Sequence, residues 1–91
     1  MVSVRNMKGR TGKAIPNQFV ITTDDATYFQ SYNTVIAKLS QGQTVLSPSW
    51  DYSKTTGKYR NIFLQETRQE TERKIKDGTY KIAELGKVLS R

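Results

Sequence analysis

The chain has 91 residues and a mass of 10.4 kDa, room for one small domain, with 35% hydrophobic residues and a mean hydropathy of −0.67. Lys and Arg number 15 against 8 Asp and Glu, giving a net charge of +7 and a pI near 9.9, while the 10% aromatic content argues against a disordered basic tail. Cys and His are absent, which excludes a disulfide scaffold, a Cys/His zinc centre, a thiol nucleophile and an imidazole base.

No apolar run exceeds three residues, so neither a membrane span nor a signal-peptide core is expected, and a soluble protein of a reducing compartment is the simplest reading. Residues 1–17 hold Arg5, Lys8, Arg10 and Lys13 with no acid. The stretch Met7-Lys8-Gly9-Arg10-Thr11-Gly12-Lys13 joins charge to glycine without periodicity, and residues 1–14 are therefore expected to be a flexible basic arm. Its Gly-rich core is not a phosphate loop: Met7 stands where the leading Gly belongs, and Ala14 where Ser or Thr should follow Lys13.

Order is expected from Ile15-Pro16 onward, in a single domain over residues 15–91. Gln18 to Thr23 is β-branched and aromatic and predicts a strand. Asp24-Asp25 is a turn signal, because both side chains can bond their own backbone. Ala26 to Asn33 then alternates. A two- or four-residue loop sets Ile21 opposite Tyr28 and a three-residue loop sets it opposite Phe29; Phe29 is favoured inward, since a tyrosine hydroxyl is better left wet. Thr34–Leu39 and Gln43–Ser47 predict a second hairpin through Ser40-Gln41-Gly42, with a helix over 33–41 as the competitor for its first arm. Pro48 ends the ladder because it has no amide donor.

Ser53 reads as an N-cap, and Tyr52, Tyr59 and Phe63, with Thr56 in the i+4 slot, are expected on one face of the helix that follows. That helix is expected to run to Lys74, stop at Gly78, and let Thr79–Leu85 return to a sheet edge. The fold class is thus α+β: an antiparallel sheet of four to five strands packed on one main helix.

The run Phe29-Gln30-Ser31-Tyr32-Asn33-Thr34-Val35-Ile36-Ala37, a Gly-centred turn, then Trp50-Asp51-Tyr52-Ser53-Lys54-Thr55-Thr56 and Phe63-Leu64 resembles a family of small uncharacterised proteins of Gram-positive phages and mobile elements. The resemblance spans about residues 28–64, through a Ser-Tyr-x-Thr and a Ser-x-Thr-Thr pattern. It implies a phage setting and no chemistry. Many members carry His where this chain has Tyr59, so no role of that imidazole transfers.

Three clusters can carry function. The basic arm (Arg5, Lys8, Arg10, Lys13) suits phosphate backbones without reading bases. The segment from Trp50 to Thr56 is ordinarily a loop anchor and helix cap; alternatively its amides and hydroxyls hold a phosphate, aided by Lys54 and Lys58. Tyr28, Tyr32, Lys38, Arg60 and Tyr80 can form a face where bases stack and cations meet phosphates, or simply rim the core. Glu66, Glu70, Glu72 and Asp77 lie among bases at helical spacings, as on a solvated ion-paired face, and Asp24-Asp25 is better explained as a turn than as a metal site. The expectation is a non-enzymatic protein without metal or cofactor that binds DNA or RNA. A protein-binding inhibitor of a host enzyme or defence complex is the alternative.

Overall fold

A computed structural model describes residues 2–86; residue 1 and residues 87–91, the outer ends of the expected arm and domain, lie outside the described residues. Five strands follow one another as an antiparallel meander: β1 (Ser3–Lys8), β2 (Ala14–Thr22), β3 (Thr27–Ser31), β4 (Thr34–Ser40) and β5 (Gln43–Leu46). Helices α1 (Lys54–Leu64) and α2 (Arg68–Lys76) then cross over to β6 (Lys81–Ile82), which pairs parallel to β5. The class is α+β as expected, but the sheet is six-stranded and mixed, and two helices replace one.

The largest departure is at the N-terminus. The stretch expected as a flexible arm is the first hairpin: Ser3 to Asn6 pair in register with Thr22 to Phe19. Its tip closes locally, with the Gly9 amide on the Lys13 carbonyl (2.9 Å) and the Gly12 amide on the Gly9 carbonyl (3.0 Å). Gly12 adopts a φ of +83°, and a side chain at Gly9 would meet Ile15 Cδ1 at 3.1 Å. The glycines that suggested disorder therefore serve a turn and a close approach. Beyond Asn6 the pairing is irregular, and Asn17 takes a φ of 66°. This bend leaves the hairpin tip beside α1, where Ile15 packs on the core.

The other turns follow local chemistry. Thr22 pairs with Thr27, so the loop has four residues and sets Ile21 opposite Tyr28. Phe29 is nevertheless inward, as expected, because it pairs with Val20 on the helix-facing side and is fully buried. Gln41 (φ 52°) and Gly42 (φ 77°) make the two-residue β4–β5 turn with both dihedrals positive, as type I′ hairpins require. A bulge in β4 sets Phe29 against Ala37 and Gln30 against Val35, so Ile36 is the extra residue and joins the core beside Ala37.

One face of the sheet thus carries Val20, Phe29, Ile36, Ala37 and Leu46 against Tyr59, with Phe63 stacked on Phe29 at 5.7 Å between ring centroids. Such a pair is worth about 0.5–1.5 kcal/mol beyond its buried area. Ser53 caps α1 as expected: its hydroxyl accepts from the Thr56 amide at 3.1 Å. The expected long helix instead stops at Gln65, which turns left-handed at φ 57° and sends its amide back to the Asn61 and Ile62 carbonyls. Thr67 and Glu70 then form a reciprocal capping box that starts α2. Arg73, Lys74 and Lys76 occupy the last turn of α2, where cations suit the dipole. Among the described residues no helix is long and apolar enough to cross a membrane.

Candidate functional site

The bend in β2 creates a groove between the first hairpin and α1. Lys8, Gly9, Arg10 and Ile15 form one wall, Lys58, Tyr59 and Ile62 the other, and the space between is about 640 Å³. A shallower continuation past Ile62 is lined by Arg5, Asn6, Met7, Lys8 and Val20. Four cations drawn from two elements far apart in sequence therefore share one surface, which no carboxylate lines. None of Arg5, Lys8, Arg10 and Lys58 makes an ion pair among the described residues. Lys58 Nζ lies 5.4 Å from the Tyr59 ring centroid, a cation–π contact that leaves the ammonium without a counter-charge. Lys13 stands exposed at the base of the same hairpin tip.

The acids are engaged elsewhere. Asp51 bonds Arg60 at 3.2 Å and Arg68 at 2.7 Å. Glu66, whose side chain is only 4% exposed, receives Thr71 Oγ1 at 2.5 Å, Lys74 Nζ at 2.7 Å and the Tyr80 hydroxyl at 2.9 Å. Burial pushes the Glu66 carboxyl upward, but these three hydrogen bonds outweigh it and hold the group below its ordinary value. Burial and the bond to Glu66 together raise the Tyr80 phenol. Arg60, Arg68 and Lys74 are thus paired with acids around the helices, whereas the bases at the hairpin tip, among the described residues, are not.

Arg60 lies inside the fold rather than on the cleft surface. It is 1% exposed and donates to the Trp50 carbonyl (2.7 Å), Asp51 Oδ1 (3.2 Å) and Asn61 Oδ1 (2.9 Å) while stacking on the Trp50 ring. It anchors the β5–α1 loop, and a phosphate cannot reach it. The expected stacking face is likewise divided. Tyr28 and Lys38 pair across β3 and β4, 5.9 Å from Nζ to ring centroid, on the side opposite Phe29 and the helices. Tyr32 sits at the β3–β4 turn, and Tyr80 is spent on Glu66. At the start of α1, Ser53 is occupied by its cap and the buried Thr56 hydroxyl by Ser31 Oγ at 2.9 Å. Of the hydroxyls expected to hold a phosphate there, Thr55 alone is exposed, next to the exposed Lys54.

The fold and groove define a small α+β domain with a cationic cleft and an apolar floor; among the described residues, no cluster of carboxylates could hold a metal. The chain belongs to a family of unknown function, DUF8033, whose model matches residues 2–79. That span includes the whole first hairpin and both helices, so the cleft lies within the family's domain. No curated protein and no solved structure matches the chain.

Proposed function

We propose that this domain binds nucleic acid along the cleft, with Lys8, Arg10 and Lys58 on phosphates and Arg5 and Lys13 at the two ends. The observation that carries the reading is the convergence of cations without counter-charge from the hairpin and α1 on one groove. Contacts of this kind release condensed counterions and read charge rather than sequence. The domain acts by binding and not by catalysis, and the resemblance of residues 28–64 supports a phage accessory role in the host cytoplasm.

Anisotropy titrations of labelled DNA and RNA over a salt series test this. Five phosphate contacts give a log–log slope of about −4 on B-DNA, and replacing Lys8, Arg10 and Lys58 together by Ala flattens it to about −2. Absence of binding at low salt refutes the reading. The second reading is an acidic protein partner, such as a host enzyme inhibited by the domain, and Ile62, half exposed on the groove floor, favours it. Retention of one host protein by the parent, lost in the triple variant, with no nucleic-acid binding, is its signature.

A further inference from the structure

Beside the cleft, at the same end of the sheet, lies a second depression that the charge argument does not use. It encloses about 250 Å³ between Tyr32, Asn33 and Ile36 of the β3–β4 hairpin and Ser49 and Tyr52 of the β5–α1 loop, with no charged residue in its lining. That volume falls just below the range of drug-sized ligand pockets, which suits a single ring system.

Two features set this depression apart from an ordinary surface dent. Tyr52 is 72% exposed and Tyr32 47% exposed, so two large rings flank it without being needed by the core. Tyr32 also holds a φ of 56° at the first position of a two-residue turn, a conformation that costs a bulky residue and costs glycine nothing. The backbone there is fixed by the Tyr32 amide on the Asn17 carbonyl at 2.7 Å. Strain kept at an exposed aromatic is a reason to look for a ligand. Between the rings, the Asn33 carboxamide and the Ser49 hydroxyl make no hydrogen bond among the described residues, leaving donors and acceptors for the edge of a flat, neutral heterocycle.

The end of the sheet that bears this depression also bears the tip of the first hairpin and the start of α1. β2 begins, β3 ends and β4 begins there, and Ser31, the residue before Tyr32, is hydrogen-bonded to Thr56 in the first turn of α1. A strand whose phosphates follow the cleft therefore passes within reach of the two rings. We infer that the Tyr32–Tyr52 depression receives an unpaired nucleobase, which makes single-stranded nucleic acid the preferred ligand; this rests on the nucleic-acid reading above.

The test compares one short labelled single strand with the blunt duplex of the same sequence, at fixed salt, for the full-length parent, Tyr52→Ala and Tyr32→Gly. Tyr52 is outside the core and glycine is at ease at the Tyr32 dihedral, so both variants keep the fold; thermal melts verify it. Loss of one stacked base weakens single-strand binding roughly 5- to 140-fold in each variant. Duplex affinity and the salt slope stay at the parent's values. If the parent binds but both ligands weaken alike, or neither does, the base pocket is overturned and the cleft reading stands. If the parent binds no nucleic acid, both fall together.

Discussion

Gln18 is the most informative single residue for the physics of this fold. It is fully buried on the helix-facing side of β2, opposite Ser31, and neither its carboxamide oxygen nor its nitrogen has a hydrogen-bond partner among the described residues. Its neighbour across the ladder, Ser31, turns its Oγ to Thr56 Oγ1 at 2.9 Å instead. Burying an amide without compensation costs about 1–3 kcal/mol on the scale of protein mutational data. Methionine has nearly the same length and volume and no such requirement, so Gln18→Met should stabilise the domain by about 1–3 kcal/mol. In a domain of this size each kcal/mol moves Tm by about 4–8 °C, so the expected rise is readily measured by thermal melting. Urea titration should show a higher midpoint at unchanged m, as a change in stability without a change in exposed surface demands. A drop in midpoint would refute the reasoning, by showing that the carboxamide is hydrogen-bonded and that the polar layer under α1 holds the sheet to the helix.

Two further perturbations follow from the same structure. Glu66 titrates below its ordinary value in the folded protein, so its contribution is present above the unfolded-state pKa near 4.3 and is lost as pH falls through the folded value. Glu66→Gln should therefore lower Tm at neutral pH and remove part of the acid sensitivity that sets in as pH falls below the unfolded-state pKa, with a parallel pH profile as the refuting result. Deleting residues 2–13 strips β1 from the sheet and Met7 from the core, and circular dichroism should report an unfolded or strongly destabilised chain. A variant that melts like the parent would restore the flexible-arm picture.

The hairpins were legible because their signals are local: Asp24-Asp25 and Gln41-Gly42 declare turns, and β-branched runs flank them. Ser53 was legible for the same reason. The first hairpin was not, because Met7 is the one buried apolar residue of β1 and the charge of the tip hides the pairing. The break at Gln65 has no propensity signature, since a left-handed glutamine is set by context; the Thr67-x-x-Glu70 capping box was the readable clue to α2. Nothing local separates a buried arginine from an exposed one, so the burial of Arg60 was not legible, nor was the common surface of Lys8, Arg10 and Lys58, which were expected in two separate clusters. A groove assembled from residues 8–15 and 58–62 is a property of the bend at Asn17, and bends of that kind are not written in periodicity.

The parallel pairing of β5 and β6 divides the molecule in time as well as in space. Every ladder from β1 to β5 joins neighbours in sequence and can zip by local hairpin closure. Leu46 and Ile82 meet only after the intervening chain has wound into two helices and docked them. The last strand has two residues, supported by the Ala83 amide on the Leu46 carbonyl and the Val35 amide on the Gly86 carbonyl. It makes the ladder of longest sequence separation and is the shortest strand of the sheet, whereas the cleft and the tyrosine-flanked depression are built from residues up to the end of α1 alone.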